Sequence, residues 1–210
     1  MKQAINRFPC QPLKHLTDTR KKEVLGRIRG TRPVNQDIWI FAYGSLMWNP
    51  CFKYKKRVEA VLPGYERKFH IWSCVARGTS ERPGLGLCLE KTGKETIGVA
   101  FQIEDKNVEK AWAALWEREM ATGIYNPEWV SILVCNDLAI KALAFVVDDQ
   151  HIQYAGKLPE EEMAWIIAGA SGTYGRCRDY LAMTVSETKK IGDCNNELVK
   201  LLKSVDKLMS

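Results

Sequence analysis

Short apolar or alternating runs, separated at near-regular intervals by turn residues, fill residues 38 to 147 of this chain. Trp39-Ile40-Phe41-Ala42-Tyr43 is too short for a stable helix and rich in β-formers, so it reads as a buried strand that stops abruptly at Gly44-Ser45. Arg57 to Leu62, Tyr65 to Cys74, Leu85 to Glu90 and Glu95 to Ile103 read as further strands, with Pro63-Gly64, Arg82-Pro83-Gly84 and Lys91-Thr92-Gly93 as turns; Thr92-Gly93 reads as a hairpin tip. Trp129 to Cys135 and Leu138 to Val147 form a second expected hairpin, joined by Asn136-Asp137. Between these groups lies one clear helix, capped by Asp105 or Asn107, with Val108, Trp112, Leu115 and Glu119 along one face. Lys110 and Glu117 fall on the opposite, solvent-facing side.

The two ends of the chain are simpler. Pro9 and Pro12 break any helix over residues 1 to 16, after which Thr17-Asp18 caps a peripheral helix to about Arg29, with Val24, Leu25 and Ile28 as its apolar stripe and Gly30 as its stop. The last third is helical: Pro159-Glu160 opens a helix through Ile167, Gly169 to Gly172 breaks it, and helices follow from about Arg178 to Ile191 and from Asn195 to Met209. Strands first and helices last predict an α+β fold with a mostly antiparallel, strongly curved sheet. We divide the chain into an N-terminal extension, residues 1–34, and a domain over residues 35–210.

Composition narrows the functional classes. A length of 210 residues, 46% hydrophobic and 27% charged, fits a globular protein with a sizeable core. No apolar run approaches bilayer length, and no uninterrupted signal-like h-region opens the chain, so the expectation is a cytoplasmic protein without membrane attachment. The net charge of +6 is not spread evenly. Residues 1 to 32 hold nine Lys/Arg against two acids, leaving 22 against 23 for the remainder. The body is therefore near neutral, and with no aromatic-interleaved basic patch, nucleic acid is not an expected partner.

Seven cysteines (Cys10, Cys51, Cys74, Cys88, Cys135, Cys177 and Cys194) are odd in number and contain no C-x-x-C pair. Most sit among apolar neighbours, as at Leu87-Cys88-Leu89 and Leu133-Val134-Cys135, where a free cysteine acts as a small core residue. With His15, His70 and His151 far apart, neither a metal cluster nor a Cys-His nucleophile pair is expected.

Two features carry chemistry. After the first strand, consecutive amides at Gly44, Ser45 and Leu46 can turn into one concavity that would bind a carboxylate or an oxyanion, or the same residues serve simply as a turn. The second feature is Glu119, a carboxylate where the helical pattern calls for a hydrophobe. Burial there would raise its pKa toward neutrality and make it a competent general base or acid. The bland alternatives are a buried Glu neutralised by an arginine such as Arg67 or Arg77, or a helix boundary misplaced by two residues.

Phe41-Ala42-Tyr43-Gly44-Ser45-Leu46-Met47-Trp48-Asn49-Pro50 resembles the signature of the ChaC family of γ-glutamylcyclotransferases. Arg77-Gly78-Thr79 with Pro83-Gly84, Leu115 to Tyr125 around Arg118-Glu119, and Ser171-Gly172 with Gly175 and Tyr180-Leu181 follow in the family's order, most closely its bacterial members. The match runs from about Ile38 to Leu181. One departure is Ala42, where the family usually has Gly; it adds a methyl group beside the implied pocket.

The resemblance implies a small mixed, mostly antiparallel β-barrel with flanking helices, and the release of 5-oxoproline and cysteinylglycine from glutathione. It implies Glu119 as the catalytic base and acid, with Ile40, Phe41, Ala42, Tyr43, Gly44, Ser45, Leu46, Arg67 and Tyr125 around the substrate, and no metal or organic cofactor. Arg77 and Tyr180 lie in the matched motifs as further candidates. Two other readings stay open: a cyclotransferase for other γ-glutamyl amines or amino acids, and a non-catalytic regulatory protein of the cation-transport regulator type.

Overall fold

A computed structural model describes residues 14–193 and 196–210. The expectations at Pro9 and Pro12, at Cys10 and Cys194, and at the Asn195 helix start lie outside the described residues. The described chain divides into two compact units, one made of Lys14–Arg67 and Leu89–Asp148, the other of Lys68–Cys88 and Asp149–Ser210.

The first unit holds α1 (Asp18–Gly30), β1 (Trp39–Ala42), α2 (Val108–Glu119), β4 (Tyr125–Val134) and β5 (Leu138–Val147), while β2 (Lys56–Ser73) and β3 (Gly84–Gln102) contribute residues to both units. The five strands close into a barrel in the order β1-β3-β2-β4-β5. β1 runs antiparallel to β3, from Trp39↔Gln102 to Ala42↔Val99, and parallel to β5 at Ile40↔Leu143. That single parallel pairing makes the barrel mixed, and the expected α+β class holds. β1 has cover on both faces, so Ile40, Phe41 and Ala42 are all buried.

The strand count differs from the pattern. Thr92-Gly93 is not a hairpin tip and Pro63-Gly64 is not a reversal; each pair sits inside one long strand. Gly64 (φ +86°) and Gly93 (φ +80°) take a left-handed conformation that bends a strand without turning it back, and a small closed barrel needs such bends. The second hairpin forms as expected. β4 and β5 pair from Tyr125↔Val147 to Val134↔Leu138, and Asn136 (φ 59°) and Asp137 (φ 57°) both adopt the left-handed geometry that matches strand twist. Cys135 lies past the last paired residue and is exposed, not a core residue as its neighbours suggested; Cys74, Cys88 and Cys177 are buried. Burial pushes the Cys74 and Cys177 thiols up to about 11.

α2 forms over the expected span, but neither Asp105 nor Asn107 caps it with a side chain. The Asn107 side-chain Nδ2 donates instead to the Glu104 carboxylate (2.9 Å), and a short 3₁₀ turn over Asp105–Asn107 starts the helix. α1 begins as expected, with the Thr17 hydroxyl accepting from the Arg20 amide. It is fastened more firmly than a peripheral element: the Trp116 and Trp129 indoles donate to the carbonyls of Lys21 (3.1 Å) and Ile28 (3.0 Å).

In the second unit, α3 (Glu160–Gly169), the two-stranded β6 (Ser171–Gly172) and β7 (Gly175–Arg176), α4 (Cys177–Lys190) and α5 (Asn196–Met209) follow in order. Ile167, Leu181, Leu198, Leu201 and Val205 supply much of its helical core. Among the described residues no helix is long and apolar enough to cross a membrane.

Candidate active site

The strand β1 ends inside the core, and the chain leaves it through Tyr43 and Gly44 into a 3₁₀ turn over Ser45–Met47. Gly44 takes a negative φ (−138°), so the turn does not use the left-handed freedom that glycine offers. Within the turn the Met47 amide donates to the Gly44 carbonyl (2.8 Å). Such a turn supplies no carbonyl for its own first amides, which here belong to Ser45 and Leu46. Ser45 is half-buried and Leu46 buried, so these groups lie at the edge of the core rather than on an open loop.

Two arginines fix this turn. Arg67, on β2, is 2% exposed; its Nε donates to the Tyr43 carbonyl and its Nη2 to the Ile97 carbonyl at 2.7 Å. Arg118, on α2, donates from Nη2 to the Ser45 hydroxyl oxygen (2.7 Å) and from Nη1 to the Asn49 carbonyl (2.7 Å). The turn is thus held at its start by Arg67 and Arg118, and Arg118 also holds Asn49, two residues past its end. The Tyr43 hydroxyl donates to the Phe145 carbonyl on β5 (2.7 Å).

Glu119 is the last residue of α2. Its side chain is 16% exposed, and Oε1 lies 3.2 Å from Arg118 Nε. An arginine does pair with the carboxylate, as one alternative expected, but it is Arg118 and not Arg67 or Arg77, and the helix runs to Glu119 as the pattern placed it. Burial raises its pKa above the ordinary carboxylate value, with the neighbouring Arg118 charge opposing. Glu117, two residues back, is 85% exposed, and Lys110 is exposed as well. The Cys51 thiol, half-buried just beyond the turn, is pushed up by burial and also feels both Arg118 and Glu119. Tyr125 opens β4 after α2, its ring 6.4 Å from Phe145 and edge-on to it. Trp112, Trp116 and Phe145 form a chain of edge-to-face contacts beneath the end of the helix.

Within the first unit, Arg67 thus contacts the chain at Tyr43, and Glu119 is linked to Ser45 through Arg118, in the candidate segment over residues 43–46. Ile40, Phe41 and Ala42 reach it as the buried strand that aims the turn. Arg77 and Tyr180 belong to the other unit, where the Arg77 guanidinium donates to the Tyr174 carbonyl and lies 4.9 Å from the centre of the Tyr180 ring. The sequence reading gave Arg118 no separate role. Its signal was its place, a cation immediately before the carboxylate that breaks the apolar stripe.

A family model described as ChaC-like protein matches residues 38–208. The chain belongs to the ChaC family. It is 36% identical over 179 residues to the glutathione-specific γ-glutamylcyclotransferase of Escherichia coli strain K12, covering 85% of this chain and 77% of that protein. Against human glutathione-specific γ-glutamylcyclotransferase 1 it is 36% identical over 149 residues, covering 70% of this chain and 67% of that protein. The fold is that of a crystal structure of a γ-glutamyl cyclotransferase specific to glutathione from yeast (TM-score 0.75, 20% identity), which it matches over 82% of this chain and 97% of the other. This ChaC chain thus has the α+β barrel that its motifs implied.

Proposed function

We propose that this ChaC-family protein is a γ-glutamylcyclotransferase that acts on glutathione and that Glu119 is its catalytic base and acid. In a γ-glutamyl peptide the α-amine can reach the γ-carbonyl carbon by closing a five-membered ring, so the enzyme need not supply a nucleophile. Glu119 takes a proton from the substrate α-ammonium, the amine nitrogen bonds to the γ-carbon, and negative charge collects on the γ-oxygen. The amide bond to cysteine then breaks as the same carboxyl returns its proton to the leaving nitrogen, and the ring nitrogen gives up its second proton to the released amine, leaving a neutral lactam. One C–N bond forms and one breaks, no water is consumed, and the products are 5-oxoproline and cysteinylglycine. No step calls for a metal or organic cofactor.

The observation that carries the reading is a mostly buried carboxyl one guanidinium away from the Ser45–Met47 turn. Burial raises the affinity of Glu119 for a proton, which suits a group that must hold and return one near neutral pH. The amides of Gly44, Ser45 and Leu46 supply donors for the substrate carboxylate or the developing oxyanion, each typically worth about 3 kcal/mol in the transition state. Ile40, Phe41 and Ala42 aim this turn, Tyr43 and Arg67 hold it, and Tyr125 frames the side toward β4. The specificity for glutathione in the relatives' names supports the substrate assignment. Residues 35–210 are the catalytic domain in this reading, with residues 1–34 as an extension; a family match that begins at residue 38 supports this division. Free thiols at the described cysteines suit the reducing cytoplasm as the compartment.

Incubating the full chain with glutathione tests the proposal. Wild type should release equal amounts of 5-oxoproline and cysteinylglycine, and Glu119→Gln should be folded and inactive. Turnover of another γ-glutamyl amine, with glutathione untouched, would move the substrate assignment. Activity surviving in Glu119→Gln would remove its catalytic role.

A further inference from the structure

We propose that Arg118 is a positioning residue for the cyclisation, one that ties the donor-bearing turn and the segment just after it to the end of the helix carrying Glu119. The inference rests on the catalytic reading above and assigns a role to a residue which that reading does not use. Residues adjacent in a helix do not face each other, so helix geometry alone gives Arg118 no reason to turn toward Glu119. Its own partners explain the direction. Nη2 and Nη1 reach Ser45, at the start of the turn, and Asn49, two residues past its end, both at 2.7 Å, and Nε is left facing Glu119 Oε1 at 3.2 Å. A planar guanidinium can serve three partners in fixed directions at once, which an ammonium cannot.

Two chemical consequences follow. Because the Ser45 oxygen accepts from Arg118, the hydroxyl keeps its own proton to donate onward, beside the Ser45 and Leu46 amides. Glu119 closes α2, where helix carbonyls and burial both disfavour a carboxylate, and Arg118 supplies the positive charge that opposes them. Among the described residues, the charged or titratable groups acting on Glu119 are Arg118, from its own helix, and the Cys51 thiol, from the segment after the turn. Arg118 therefore sets the place of the donors and the protonation of the base together.

The test compares Arg118→Met, Arg118→Lys and Ser45→Ala with wild type. Two readouts serve: pH titration of the Glu119 side-chain carboxyl by carbon-13 NMR, and the pH profile of kcat/KM with its separate KM. Arg118→Met should move both the carboxyl midpoint and the acidic limb of the profile to higher pH. Arg118→Lys keeps the charge but loses the fork, so its midpoint should stay near wild type while KM rises about tenfold or more. Ser45→Ala should raise KM without moving the midpoint. A purely structural arginine would lower stability and leave the midpoint alone. A folded Arg118→Met with the wild-type midpoint overturns the proposal, as does an Arg118→Lys with wild-type KM, which decides the matter if the Met variant does not fold. Should wild type release no 5-oxoproline, the catalytic reading fails, and the carboxyl titration still decides whether Arg118 controls Glu119.

Discussion

Arg67 Nη2 donates to the Ile97 carbonyl at 2.7 Å, and through Nε the same guanidinium donates to the Tyr43 carbonyl. One buried cation thus joins β2, β3 and the exit of β1, in a barrel whose first strand is only four residues long. Arg67→Met should remove that donor from both carbonyls, the Tyr43 one in the core and the Ile97 one part-buried. A buried acceptor left unpaired costs about 1–3 kcal/mol, so the substitution should lower the unfolding free energy by about 3 kcal/mol in denaturant titration. If Arg67 instead served the substrate directly, stability would hold and KM alone would rise. Measuring both on one preparation separates the two roles.

The raised pKa of Glu119 makes a stability prediction independent of turnover. Burial is the main cause, with Arg118 opposing it. A carboxyl whose folded-state pKa lies above its unfolded value favours folding while protonated in both states, and that contribution is lost as pH rises through the folded value. Ionised Glu119 is therefore a stability cost at neutral pH. Glu119→Gln keeps the shape and removes the titration, so relative to wild type it should gain stability as pH rises from the ordinary carboxylate range to neutrality. Thermal melts of both proteins across that range check the sign; a difference that is flat or falls with pH would contradict it.

Where each feature was legible depends on whether its cause is local. The Asn136-Asp137 hairpin and α2 could be read because turn chemistry and a period of 3.6 residues act within a few positions. The exposure of Cys135 could not, because its apolar neighbours say nothing about how far the hairpin projects. Gly64 and Gly93 looked like reversals because the same left-handed glycine either turns a strand or bends it, and only barrel closure chooses. In the site, Glu119 announced itself by breaking an apolar stripe. Arg118 and the structural use of Arg67 did not, since their partners, Ser45, Asn49, Tyr43 and Ile97, lie at distances along the chain that no pattern measures.

The close approach of β3 to β1 yields the last prediction. A Cβ added at Gly98 would fall 2.5 Å from the Ala42 carbonyl oxygen and 2.6 Å from the Phe41 ring, both in the strand that aims the turn. Phe41 is fully buried and the Ala42 carbonyl is backbone, so neither can step aside cheaply. Gly98→Ala should cost about 1–3 kcal/mol by overpacking and should also raise KM, because the displaced Ala42 carries Tyr43 and Gly44 with it. Gly86→Ala is the matched control in the same strand: its nearest neighbours would be 3.9 Å away, ordinary contact, and stability and KM should stay near wild type. If the Gly98 variant lost stability with an unchanged KM, β1 would be a support for the barrel alone and would not set the position of the turn.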